Sequence, residues 1–448
     1  MRLALAAIIV LAVTVRFAGI GSHLSIDDAY SWLVASSPSA HVFLARLADN
    51  ENTPPLFYLL LMGMPSFAPA WLRIPAAVPG VLLCGATYLV LRPRLGRRAS
   101  LLAALGVAVA PFLITYSNLA RGFMLADLAL LVALGALLSL CERETSARWV
   151  LFFCAGVVAV WAEYGSVIFV IALVVASVWI GKPRRRGVLL AGALILVTLA
   201  PWIPEIVRGQ SQVGVTKFGP QSATPSLTAL RDVVVTLALG ENGGTTSSAG
   251  RWLELLVMLG FAIVGVVVLR RGWDHRDLRA RVTIQLLAAT AALTLIGYAL
   301  AAVVGIDVFT QRYLTILVPI GAGLGAALVV ASDQRAVTLA AAATLVVLGL
   351  VGVATRFDGE WEPNLAPIRA AAVAMHPRTV LTNTPVVLYY LASFGPLFDR
   401  PYNIGPGRSA TCARPCLAID DTRVSGGTPR PMTGIQHLIV PYLLTLER

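Results

Sequence analysis

The sequence predicts an α-helical polytopic membrane protein, and three observations carry that expectation. The 448-residue chain is 57% hydrophobic and only 13% charged, with a mean hydropathy of +0.79. A soluble chain of this length forms two or three domains with about a quarter of its residues charged, and the charge here is too sparse to coat them. Stretches approaching the ~20 apolar residues that cross a bilayer recur about eleven times. Basic residues fall in short runs between those stretches, which is the positive-inside pattern. The composition excludes a soluble enzyme, a disordered chain and a DNA-binding protein.

The net charge of +12 comes from 35 basic and 23 acidic residues, the basic ones arginine except Lys182 and Lys217. Its spacing argues against nucleic acid as a partner. The runs are Arg92–Arg98, Arg143 with Arg148, Lys182–Arg186, Arg270–Arg281 and Arg335. No aromatic residues interleave with them as base-stacking platforms would require.

Eleven spans follow from about 3–21, 72–91, 99–116, 122–141, 149–163, 165–181, 187–204, 251–270, 282–304, 313–332 and 336–355. The first has the look of a signal peptide, but without a clear small-residue cleavage site it reads as an uncleaved anchor. Each basic run then falls on one side. The N-terminus is cytoplasmic and the C-terminus extracytoplasmic, in a multi-pass plasma-membrane protein.

Residues 1–356 form the membrane domain, with a first outer loop at 22–71 and a long outer loop at 205–250. The apolar piece Leu56–Phe67 is too short to cross and is expected as an interfacial helix. The tail, 357–448, is long enough for a small extracytoplasmic α/β-type domain. It contains a β-like run at Thr379–Thr382 and a helical stretch at Pro385–Ala392.

Cys84, Cys141 and Cys154 lie in or beside spans, where cysteine acts as a small apolar residue. Cys412 and Cys416 sit in the outer tail, where an oxidising exterior permits a disulfide. Two sulfurs without a nearby histidine do not complete a zinc site. No phosphate-binding Gly-rich loop, zinc-protease motif or nucleophilic triad is present.

Charged residues at the outer mouths of the spans stand out instead, because ionisable groups at membrane depth are functional candidates. The densest set opens the first outer loop: Ser25-Ile-Asp27-Asp28-Ala-Tyr-Ser31, the amphipathic run Trp32–Leu47, then Glu51-Asn-Thr-Pro-Pro-Leu-Phe-Tyr58. Adjacent carboxylates repel unless a cation or partner intervenes; Asp28 also suits a cap for the helix that begins near it. Arg121 and Arg312, at the mouths of spans four and ten, present the donor fork that matches phosphate, or snorkel to headgroups. Glu163 and Tyr164 turn between spans five and six, placed to bind a polar ligand or to form a solvated turn. Lys217 lies in the long outer loop, free to close over a substrate or to stay solvated. His23 and His41 lack metal-ligand spacing.

At these residues the sequence resembles GT-C glycosyltransferases, and within them the family 39 protein-mannosyltransferase-like branch. Asp27-Asp28-Ala-Tyr-Ser is similar to that group's Asp-Glu-Ala-Tyr-Ser. Glu51-Asn-Thr-Pro-Pro-Leu-Phe-Tyr resembles its Pro-Pro-Leu-Tyr-Tyr segment, and Leu72-Arg-Ile-Pro-Ala-Ala-Val-Pro-Gly its Leu-Arg-Leu-Pro-Ser-Ala span. Pro111 through Tyr116-Ser-Asn-Leu-Ala-Arg121-Gly-Phe123 resembles its Tyr-Ser-Gln-Glu-Ala-Arg turn. Pro201-Trp-x-Pro and Arg312-Tyr313 follow in order, so the likeness runs over about 1–330. Asp28 is one methylene shorter than the usual Glu, Leu119 stands where that turn has Glu, and Phe123 where it has Tyr.

The resemblance implies a GT-C-like fold and transfer of a sugar, mannose ahead of arabinose, from a polyprenyl-phosphate donor. The acceptor is a hydroxyl on an extracytoplasmic glycan, lipid or protein. Asp27 is the catalytic base with Asp28 beside it. Asp28, Glu51, Glu163 and Tyr164 orient or bind the acceptor, and Arg121, Arg312 and Lys217 bind the donor phosphate. An inverting displacement needs such a base opposite a leaving phosphate met by cations. No cofactor is required; a divalent metal is compatible with the sequence but not demanded by it. A transporter or flippase of lipid-linked sugars is the alternative, though transporters place polar groups nearer the midplane.

Overall fold

The computed structural model describes residues 2–22, 24–50, 53–180, 184–204, 277–303, 311–331 and 334–357, with single positions between 228 and 273 and short strands in the tail. In chain order the helices are α1 (Arg2–Phe17), α2 (Ile26–Ala35), α3 (Ala40–Asn50), α4 (Leu56–Met62), α5 (Pro69–Val109), α6 (Pro111–Ser117) and α7 (Phe123–Glu142). They continue as α8 (Ser146–Ala162), α9 (Ser166–Ile180), α10 (Arg185–Val197), α11 (Leu278–Val303), α12 (Leu317–Val330) and α13 (Arg335–Phe357).

The chain divides into two compact units. One comprises Met1–Gly21, Thr53–Val207 and Ser222–Gly359; the other comprises Ser22–Asn52, Arg208–Gln221 and Glu360–Arg448.

The first unit is a helical bundle. Four of its described helical segments are long and apolar enough to cross a membrane: Pro69–Val109, Phe123–Glu142, Arg185–Trp202 and Leu278–Val303. Shorter apolar helices accompany them at Leu3–Phe17, Ser146–Ala162, Ser166–Ile180, Leu317–Val330 and Arg335–Val347. The protein is a multi-pass membrane protein. Phe123–Glu142 is apolar on all sides, and a helix of that kind is buried on all sides. Its Leu130, Leu131, Leu134, Leu137 and Leu138 sit in the core with Leu83, Leu91 and Val107 of α5 and Phe152 and Val160 of α8. Leu82, Leu89, Val150, Trp179, Leu190 and Leu194 face outward instead, an apolar surface suited to lipid.

α5 covers the expected span 72–91 and the first part of the expected span 99–116, which breaks at the extended Ala110 before Pro111 opens α6. Gly96 at φ 78°, ψ 173° breaks the helix inside its 41 residues, a conformation that suits glycine because it has no Cβ. At that end Arg94 forms an ion pair with Glu142 at 3.0 Å and donates to Ser139 Oγ at 3.0 Å. Arg148 donates to the carbonyls of Ser139 and Arg143. Basic residues of the expected cytoplasmic runs therefore also tie α5, α7 and α8 together.

Some expected bounds move. The first helix ends at Phe17, short of residue 21, and Gly19 at φ 74° follows it. The helix expected at 56–67 stops at Met62: Gly63 closes it, and Pro65 cannot continue it. The run Trp32–Leu47 is two helices, parted after Ser36 caps α2 and before Ala40 opens α3. The expected helix at 385–392, nearly all of the loop 205–250 and most of the span 251–270 lie outside the described residues.

In the second unit the tail forms a four-stranded sheet. Its strands are β1 (Thr379–Thr382), β2 (Cys416–Asp421), β3 (Leu438–Ile439) and β4 (Tyr442–Glu447), in the order β1-β2-β4-β3. β1 runs parallel to β2, and the other pairs are antiparallel. β1 coincides with the β-like run expected there.

Candidate active site

Two tight turns meet at one end of the bundle. The first, Asn118–Gly122, links α6 to α7; the second, Glu163–Gly165, links α8 to α9. They touch because Gly122 lacks a side chain: a Cβ there would lie 2.2 Å from the Ala162 carbonyl oxygen. That approach brings Arg121 beside Glu163, so residues 42 positions apart in the chain act as neighbours.

The Arg121 guanidinium is held from a third element. Its Nη1 donates to Tyr58 Oη at 2.9 Å, and Thr53 Oγ1 hydrogen bonds the same phenol at 2.9 Å. Tyr58 lies on α4 with 2% of its surface exposed, so α4 orients a cation that α7 alone would leave to rotate.

A fourth element brings Arg312. It lies in the 3-10 turn Gln311–Leu314, its guanidinium over the Tyr313 ring at 5.4 Å from the centroid. The Tyr313 ring meets Phe123 edge-on at 6.0 Å, and Phe123 meets Tyr116 at 5.1 Å. Tyr298, on α11, has its hydroxyl 2.8 Å from the Gly165 carbonyl and 3.0 Å from that of Tyr313, positioned to donate to either. It clips the Glu163 turn to the Arg312 turn. A Cβ on Gly165 would fall 2.6 Å from that phenol oxygen.

Glu163 is the centre of the cluster. α8 ends at Ala162, so this carboxyl lies in the turn outside both neighbouring helices, with 5% of its surface exposed. Burial pushes its pKa up to about 7, opposed by the charges of Arg312 and Arg121 and by hydrogen bonds from the backbone N–H groups of Gly165 and Tyr164. Across from it, Asp127 is 3% exposed, hydrogen bonded to the Thr315 side chain. Its Oδ2 has no hydrogen-bond partner. Asp127, Glu163, Ser166, Tyr298, Tyr313 and Thr315 line a cavity of about 10 Å³, room for about one water molecule.

Behind the first turn Arg16 is fully buried. Its Nη1 and Nη2 donate to the carbonyls of Ala108 and Val107 at 2.7 and 2.8 Å, and its Nε to Ser117 Oγ at 3.1 Å. The side chain closes the carbonyl end of α5 and anchors α6, fixing the residue from which the Arg121 turn departs.

The aspartate pair belongs to the other unit. Asp28 is fully buried as the third residue of α2 and completes a capping box: its Oδ2 accepts from Ser25 N–H at 3.0 Å and from Ser25 Oγ at 2.9 Å. Ser25 Oγ in turn accepts from the Asp28 N–H at 3.2 Å. Asp27, on the same turn, is partly exposed. The helix-capping alternative for Asp28 thus describes its local geometry.

Of the expected site residues, the structure brings together Arg121, Glu163 and Arg312, with the partly buried Tyr164 adjoining. Glu51, Lys217 and Cys412 lie outside the described residues, as does His23; Cys416 opens β2, and His41 is exposed on α3. Among the described residues no group of three or more His, Cys, Asp or Glu side chains is arranged to hold a metal. Tyr58, Asp127, Tyr298 and Thr315 were not singled out. A signal existed for Asp127, the one acidic or basic residue inside the apolar stretch 123–141. Tyr58 ends the Glu51–Tyr58 motif of the first outer loop. Nothing local marked Tyr298 or Thr315.

No family model matches the sequence, and no curated protein matches it. Solved structures do. ArnT from Cupriavidus metallidurans bound to undecaprenyl phosphate superposes with a TM-score of 0.58 at 13% identity, covering 98% of this chain and 97% of that one. The fold is that of the GT-C membrane glycosyltransferases. The Archaeoglobus fulgidus oligosaccharyltransferase tethered to an acceptor peptide containing the NVT sequon also shares it, with a TM-score of 0.50 at 14% identity. There 91% of this chain covers 59% of the other, so the chain spans about three-fifths of that enzyme's length. At these identities the likeness extends to the GT-C fold alone.

Proposed function

We propose that the protein is an inverting membrane glycosyltransferase that moves a sugar from a polyprenyl-phosphate donor to a hydroxyl of an extracytoplasmic acceptor. The observation that carries this reading is the placing of Arg121 and Arg312, from two separate turns, within electrostatic reach of one buried carboxylate at one end of a bundle with the GT-C fold. A leaving lipid phosphate concentrates negative charge, and two preorganised guanidinium forks in a site of low dielectric stabilise it as it develops. Tyr58 fixes the first fork and the Tyr313 ring supports the second.

Asp27 is the base that takes the acceptor's proton. Asp28 spends one carboxylate oxygen on its own helix cap, which favours Asp27 for the proton and Asp28 for holding α2 in place. Glu51 and Tyr164 contact the acceptor. The family 39 branch, mannose in preference to arabinose as donor sugar, and a glycan, lipid or protein acceptor complete the reading. So do eleven spans with a cytoplasmic N-terminus, and an extracytoplasmic tail domain of α/β type.

A transporter of lipid-linked sugars is the second reading, favoured by the buried acid Asp127 within an apolar helix. Asp127 lies only one turn from the start of α7, at the mouth rather than the midplane, which favours the enzyme. Asp27→Asn separates the two. Purified variant protein is expected to lose at least about 100-fold in transfer from polyprenyl-phosphate mannose, as loss of a general base entails, while still binding the lipid. Unchanged transfer overturns the assignment. Lipid movement across proteoliposomes without transfer supports the transporter.

A further inference from the structure

We propose that Glu163 is the resident counter-ion of the phosphate site. A lipid phosphate that binds the Arg121 and Arg312 guanidinium groups cancels the positive field they exert on it, and the carboxylate takes up one proton from solvent. The inference rests on the reading of those two arginines as phosphate ligands, and gives Glu163 a role distinct from contact with the acceptor.

Charge arithmetic motivates it. Two guanidinium groups and the ionised Glu163 carboxylate sum to one positive charge, and the buried acid Asp127 across the cavity can only lower that total. A phosphate monoester brings about −1.5 to −2 near neutral pH. With Glu163 still ionised the occupied site would hold surplus negative charge in a buried place, where charge is costly. Protonation returns it to near neutrality. The balance is simple: the carboxylate and a solvent proton become a carboxylic acid, and no bond in the lipid changes.

The groups facing Glu163 all bear on that step. Arg121 faces it from the turn before α7, and Arg312 with Tyr313 from the 3-10 turn. Asp127 faces it from α7, Tyr298 from α11, and the N–H groups of Tyr164 and Gly165 from its own turn. The two arginines lead the groups that favour its charged form, ahead of the N–H groups of Gly165 and Tyr164, and the phosphate engages both. A neutral carboxyl also needs an acceptor for its new hydrogen. Asp127 Oδ2, buried and without a hydrogen-bond partner, supplies one across a cavity of about 10 Å³, a gap about one water molecule spans. Because burial already holds the glutamate at about 7, losing its arginines moves it further up, so uptake occurs above neutrality and vanishes at acid pH.

The test is calorimetric binding of undecaprenyl phosphate to the detergent-solubilised full chain, in buffers of different ionisation enthalpy. Wild type is expected to take up about one proton per lipid at about pH 8 and almost none at about pH 5.5, with affinity falling about tenfold per pH unit in the alkaline range. Glu163→Gln is expected to bind with no proton uptake and a flat pH profile. Glu163→Asp, which keeps the acid, is expected to retain uptake. Uptake that survives in Glu163→Gln but vanishes in Asp127→Asn overturns the assignment. So does wild-type binding without uptake at alkaline pH, provided Arg121→Ala abolishes binding; that result leaves the phosphate reading standing. Binding of equal strength in wild type and Arg121→Ala overturns the phosphate reading itself.

Discussion

At Gly122 the backbone of one turn lies against the end of another helix with no space for a side chain. A methyl group there would stand 2.2 Å from the Ala162 carbonyl oxygen, so Gly122→Ala must push Arg121 away from Glu163. Overpacking of this kind costs about 1–3 kcal/mol. The variant is expected to melt several degrees lower and to lose donor binding, both measurable on purified protein; unchanged donor affinity would show that the approach is not what places Arg121. Tyr58 offers a gentler test. Tyr58→Phe keeps the ring that packs in α4 and removes only the hydroxyl that accepts from Arg121. Hydrogen bonds to charged groups are worth about 1.5–3 kcal/mol, so KM for the lipid donor is expected to rise about tenfold or more with kcat little changed. An equal fall in kcat instead would place Tyr58 at the reacting atoms.

Among the elements, α2 shows how far local chemistry reaches. Ser25 and Asp28 cap it reciprocally, satisfying backbone donors at its first turn. Ser25→Ala removes one half of the box at a cost of about 0.5–2 kcal/mol. Faster amide hydrogen exchange confined to residues 26–35 is the expected outcome, with slower transfer because the base rides on that helix; undisturbed exchange would refute the cap's importance. This element was legible because the capping pattern is local. α4 was legible only in part. Its apolar run suggested a longer helix, but Gly63 and Pro65 end it early, and its second function, holding Arg121, depends on a partner 63 residues away. Gly96 similarly divides two expected spans, yet the turn it makes could not be drawn from composition.

At the scale of the whole molecule, apolar length and arginine placement predict orientation. A membrane-impermeant maleimide added to intact cells after reduction is expected to label Cys412 and Cys416, with labelling before reduction blocked if they are paired. Cys141, near the opposite ends of α7 and α8, is expected to react only after permeabilisation. Labelling of Cys141 from outside would invert the assignment.

The sequence by itself determined the class of protein and its medium. Apolar stretches of membrane length and a charge content of 13% point to a helical membrane protein, because a backbone in lipid closes its hydrogen bonds within helices or closed barrels, and stretches of about 20 apolar residues suit helices. It also marked Arg121, Glu163 and Arg312 as candidates, since ionisable groups at span mouths are costly to keep without a use. Tertiary structure decided which candidates meet. The turn contact at Gly122, the Tyr298 clip and the Tyr58 hydrogen bond join residues from five separate stretches of chain, and the buried Asp127 gains meaning only opposite Glu163. Such coupling depends on sub-ångström packing between distant segments, and helical periodicity carries no record of which segment a given face will touch.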